Sequence, residues 1–178
     1  MKKSKKIALC GVLSSLAVVI MLMAYIPYML FAFPAIAGIV SGIILTELDY
    51  KWALGTYACT AIIALLLCEK EAAMLFVGVF GYYPIVKYYL ERFSSFSNRI
   101  REYIFKFAIF NVALVCSYLV IIFLFSIPIE NMEVFGRFAY LILVGLANII
   151  FVAYDMALSR VYEIYMKQLH DRVRKLIR

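Results

Sequence analysis

The charges of this chain divide it. Apolar runs of about 20 residues, long enough to cross a hydrocarbon core of about 30 Å as a helix, alternate with short clusters of Lys and Arg. A soluble fold has no use for that pattern. Of the 178 residues, 66% are hydrophobic and 16% charged, against about 45–50% and 25% in an average soluble domain. Mean hydropathy is +0.95. A domain of this size cannot hide so much apolar surface from water. The net charge of +7 therefore does not indicate a nucleic-acid-binding domain, and a secreted disulfide scaffold or a disordered tail is excluded on the same ground.

The runs predict an all-α, polytopic membrane protein, residues 1–178 forming one membrane domain with six transmembrane helices. The spans are 7–26, 28–46, 52–68, 72–90, 103–127 and 135–159, followed by a tail helix over 160–178. The first run follows a basic stretch, as in a signal peptide, but it is too long for an h-region and lacks a small-x-small cleavage site, so it is expected to be retained. With the N-terminus inside, sixteen of the eighteen Lys and Arg fall on the inner side, and only Lys70 and Arg137 fall outside. The positive-inside rule then places both termini in the cytoplasm of a cell with a multi-pass inner (cytoplasmic) membrane.

Two stretches allow more than one reading. The second helix either starts near Tyr28 and kinks at Pro34, or starts at Pro34 after an apolar loop over 26–33 that dips into the outer leaflet. The tail places Val161, Tyr165, Leu169, Val173 and Ile177 at spacing four among Lys, Arg, Glu and Asp. That is an amphipathic helix for the inner membrane surface or a cytoplasmic partner. The one histidine, His170, lies on this tail. The four cysteines (Cys10, Cys59, Cys68, Cys116) form no CxxC pair and read as free thiols. As small hydrophobes they are expected to be buried, and Cys68, nearest an outer boundary, is the one thiol whose reactivity is worth checking.

Polar residues inside the spans are costly and therefore informative. In the sixth span Arg137, Asn148 and Asp155 fall within about 20° of one another at 100° per residue. Depth arithmetic puts Lys87, Asn111 and Asp155 at one level near the inner boundary, an expected polar cluster joining three helices. On the outer side Glu69, Lys70, Glu71, Glu130, Asn131, Glu133 and Arg137 crowd two short loops. They are either solvated loop ends or the rim of a substrate cavity lined by Gly78, Gly81, Tyr82, Tyr83 and Asn148, where glycines allow close approach and tyrosines offer a flat face with a hydroxyl. The same residues suit ordinary helix packing. No HExxH, GxSxG, P-loop or dinucleotide-binding turn occurs, and a single histidine leaves no triad. The chain is not expected to be an enzyme, nor to carry a cofactor or metal of its own.

The opening Lys6-Ile-Ala-Leu-Cys-Gly-Val-Leu-Ser-Ser-Leu-Ala17 and the stretch from Tyr25-Ile-Pro27 to Pro34-Ala-Ile-Ala-Gly38 resemble the first helix, first loop and second helix of the S components of energy-coupling factor (ECF) transporters. The resemblance implies a subunit that captures a vitamin-like micronutrient from outside. It implies two kinds of partner as well: a transmembrane coupling subunit, and two ABC-type ATPases that use the ATP. Ala8, Gly11 and Ser15 would then form the coupling-subunit interface, since small residues let helices approach closely in lipid. The ligand would sit in the outer halves of spans four to six, with Glu71, Gly78, Tyr82, Tyr83, Asn131, Arg137 and Asn148 as candidate contacts. The loops 69–71 and 128–136 are short for the family, and no ligand-specific motif is present. Two other readings use the same residues: a non-transport scaffold of a cell-envelope or shape-determining complex, like the MreD-type proteins, and an ion or proton carrier built on Asp155.

Overall fold

The structure is a computed structural model and describes residues 3–26, 29–93, 99–125 and 139–168. All secondary structure among them is helical. Helix α1 (Lys3–Leu22) ends in a 3-10 turn, Met23–Tyr25. It is followed by α2 (Ala32–Glu47), α3 (Tyr50–Leu67), α4 (Lys70–Leu75), a π-helical turn (Phe76–Phe80), α5 (Tyr83–Phe93), α6 (Arg99–Phe125) and α7 (Ala139–Gln168). Among the described residues four stretches are long and apolar enough to cross a membrane: Lys3–Tyr25, Tyr50–Leu67, Lys70–Glu91 and Val144–Gln168. Helix α2 is apolar but shorter, at 16 residues. Large apolar side chains cover the outside, with Leu66 77% exposed and Ile149 68%; a surface of this kind suits lipid, not water.

Side-chain contacts mark the two ends of the bundle. Lys6 meets Asp49 at 3.5 Å and Tyr165 donates to Glu47 at 2.7 Å, so those residues share one end of the bundle. At the other end the Tyr25 hydroxyl donates to the Leu67 carbonyl at 3.2 Å. Helix α2 is the central element, touching α1, α3, α5 and α7. Two of its glycines make that possible. A Cβ on Gly38 would strike the Phe80 carbonyl and the Tyr154 hydroxyl, and one on Gly42 would strike the Tyr162 hydroxyl.

The second helix begins at Ala32, between the two expected starts. Pro34 lies in its first turn, where a missing amide hydrogen costs nothing because that donor has no intrahelical acceptor. The fourth span differs more from the expectation of one helix over 72–90. It breaks at the π-helical turn, where the sequence explains the break and the neighbouring helices repair it. Pro84 has no N–H to offer the Phe80 carbonyl four residues earlier; the Tyr154 hydroxyl of α7 donates to that oxygen instead, at 3.3 Å. The Gly81 amide bonds to Phe76 O at 2.7 Å, which leaves the Val77 carbonyl free; the Tyr57 hydroxyl of α3 donates to it at 2.7 Å. Side chains of neighbouring helices thus replace both lost bonds, as is required where no water reaches the backbone.

The sixth span is expected to run on into a charged C-terminal helix, and it does so as far as Gln168. Helix α7 runs unbroken for 30 residues to Gln168. Its Arg160–Gln168 portion rests on α2, with Tyr162 against Gly42 and Tyr165 on Glu47. Leu169, His170, Val173 and Ile177 lie outside the described residues.

Candidate functional site

One polar network joins α5, α6 and α7. The Asp155 carboxylate accepts from the Tyr83 hydroxyl at 2.6 Å and from the Lys87 ammonium at 2.6 Å. Its other oxygen lies 3.7 Å from the Lys106 ammonium. Lys87 also donates to the Asp155 backbone carbonyl at 2.6 Å and to Ser159 Oγ at 2.7 Å. Lys106 reaches Glu91 at 2.9 Å and Glu102 at 2.7 Å. Both lysines are buried, 2% and 3% exposed. Taking such charges out of water costs several kcal/mol each, which is recovered only where geometry is good and each proton has an acceptor. Here every donor of Lys87 has one. Rings close the network on its other sides: Phe151 stacks on Phe110 at 4.2 Å and meets Tyr83 edge-on at 5.0 Å.

Asn111 lies elsewhere. Grouped by depth with Lys87 and Asp155, it instead pairs reciprocally with Asn148, at 2.9 and 3.1 Å. The error lies in treating Lys106 as a boundary residue. Lys106 is itself at the level of Asp155, so Asn111, five residues further along α6, is about 7.5 Å away from that level. The Glu102–Lys106 pair at spacing four was the signal for the missed lysine. Glu91, one position beyond the expected end of its span, belongs to the network for the same reason.

The remaining candidates separate by location. Glu71 is half-buried in the first turn of α4, at the end of the bundle marked by Tyr25. Tyr82 is half-buried with its ring edge-on to Tyr57 at 6.5 Å. Gly78 packs on Ser117, where a Cβ would strike the serine hydroxyl. Tyr83 belongs to the ion network at the opposite side of the break, and Asn148 to the amide pair. Asn131 and Arg137 lie outside the described residues. Ala8, Gly11 and Ser15 are exposed on one face of α1, with nothing within 4 Å of a Cβ built on Gly11. Cys68 is buried, as expected of a small hydrophobic side chain, whereas Cys59 and Cys116 are exposed.

Compared with protein-family models, with curated proteins and with solved structures, the chain matches none. The arrangement itself defines the class that can be stated: an all-helical protein with membrane-compatible helices and a buried ion network.

Proposed function

We propose that this protein is the substrate-capture subunit of an ECF-type uptake transporter for a vitamin-like micronutrient. In this reading it crosses the bacterial cytoplasmic membrane six times, with both termini in the cytoplasm, and docks on a coupling subunit energised by two ABC-type ATPases. The observation that carries the reading is the uncovered small-residue face of α1. Ala8, Gly11 and Ser15 stand open, flanked by exposed Ile7 and Val12. The Ser15 hydroxyl donates to the Val12 carbonyl of its own helix at 2.9 Å. The face therefore offers close approach without an unsatisfied polar group, which is what helix association in lipid favours. The captured molecule enters at the end marked by Tyr25 and Cys68, with Glu71, Tyr82, Asn131 and Arg137 as its contacts.

Affinity purification in mild detergent from the native host tests this. Co-purification of a larger membrane subunit and two ABC-type ATPases is the expected result. Gly11→Leu with Ser15→Leu should abolish that association while the variant keeps the wild-type melting temperature. Envelope-synthesis or cytoskeletal partners would replace the transport reading with the scaffold one.

A further inference from the structure

Between α2, α5 and α7, at the end of the bundle where Tyr165 meets Glu47, lies a partly open cavity of 320 Å³. Leu45, Pro84 and the side chains of Tyr88 and Tyr162 line it, together with Lys87 and Glu91. Ligand pockets begin at about 300 Å³, so there is room for a small molecule or a lipid head group.

Three observations select its chemistry. The Lys87 ammonium already donates to three acceptors at 2.6, 2.6 and 2.7 Å, so it has no proton left for an anion. Among the described side chains the network sets Asp155, Glu91 and Glu102 against Lys87 and Lys106, one negative charge in excess. Glu91 is the most exposed of these acids, at 45%, and it lines the cavity. Finally, the Tyr162 hydroxyl on the same wall is buried and has no hydrogen-bond partner. A carboxylate with surplus negative charge beside two phenol rings attracts an ammonium through both charge and ring quadrupole.

We propose that this cavity is a binding site for a primary amine, with the ammonium on the Glu91 carboxylate and against the Tyr88 and Tyr162 rings. The Tyr162 hydroxyl takes the next polar atom of the same molecule. The inference is independent of the transport reading, whose ligand enters at the other end. The amine is either a soluble molecule or the head group of an aminophospholipid, and one experiment separates the two.

Full-length protein in phosphatidylcholine nanodiscs is titrated with ethanolamine by calorimetry, with acetate and ethylene glycol as controls. Saturable ethanolamine binding and no control binding is the expected result. Glu91→Gln should weaken it tenfold or more, Glu91→Asp should largely retain it, and Tyr162→Phe should weaken it a few fold. Exposed Glu163→Gln should leave it unchanged. Should Glu91→Gln not fold, Tyr88→Leu removes a wall without touching an ion pair and is expected to weaken binding several fold. Native mass spectrometry from nanodiscs of equal phosphatidylethanolamine and phosphatidylcholine assigns the source. Glu91-dependent retention of the amine lipid means a head-group site; ethanolamine binding without lipid preference means a soluble amine. Neither binding nor lipid preference, equal binding of acetate, or folded Glu91 and Tyr88 variants indistinguishable from wild type would overturn the proposal.

Discussion

The two halves of the bundle are held together by different forces. Where α1, α2, α3 and α4 meet, the buried residues are mostly alanines: Ala17, Ala24, Ala37, Ala53, Ala61, Ala64, Ala72 and Ala73, joined by Met21 and Ile44. Where α5, α6 and α7 meet, they are rings and ions: Phe80, Tyr83, Phe110, Phe151 and Tyr154 around the pairing of Lys87 and Lys106 with Asp155. Lipid is as apolar as a leucine side chain, so burial of apolar area does not drive helices together within it. The first half relies on close backbone approach, and dispersion grows with each contact that approach allows. The second half relies on polar groups that have no better partner in hydrocarbon. One half should therefore be sensitive to added volume, the other to lost charge.

The largest effect should come from breaking the ion network on one side only. Asp155→Ala leaves two buried lysines short of their shared acceptor and should cost about 3–5 kcal/mol, read as reversible unfolding in detergent. Replacing both partners is the sharper test. Asp155→Leu with Lys87→Met removes the main pair as a unit, and the double variant should be more stable than Asp155→Ala. A double variant as unstable as the single one would mean that packing, not charge, holds α5 to α7.

The alanine half should respond in the opposite sense. Ala37 is fully buried on α2, and Ala37→Leu should cost about 1–3 kcal/mol by overpacking. A neutral outcome in the same unfolding assay would remove the distinction between the halves. The smallest effect belongs to the amide pair. Asn111→Val should cost about 0.6 kcal/mol, and not more than about 1.7 kcal/mol, as found for hydrogen bonds between membrane helices. Asn111→Val combined with Asn148→Val should cost less than the sum of the single changes.

These differences were unequally visible in the sequence. A buried charge stands out in an apolar run, so Lys87 and Asp155 match by depth in the sequence itself, and the structure brings them to 2.6 Å. Lys106 was concealed because it lies close to the basic stretch over 99–101, and taking it as the membrane boundary put Asn111, five residues further along α6, at the level of the cluster when it lies deeper. The break in the fourth span had its cause in plain view at Pro84. The tyrosines that repair it could not be found from sequence, because Tyr57 and Tyr154 are 20 and 74 residues from the carbonyls they serve. The continuity of α7 past Arg160 was legible, because the onset of charge there marks where the membrane is expected to end and a helix need not stop.

Helix α7 has a mechanical consequence. Its 30 residues extend about 45 Å, against a hydrocarbon thickness of about 30 Å. The helix is thus about 15 Å longer than that layer is thick, and its C-terminal part, beyond the clamp of Lys87 and Lys106, is braced along α2 by Tyr162 and Tyr165. The rod acts as a lever arm. A rotation of the bundle by about 20°, an ordinary tilt for membrane helices, would swing the tip sideways by about 5 Å. A small reorientation of the bundle would thus become a displacement of several ångströms at the end of this one helix.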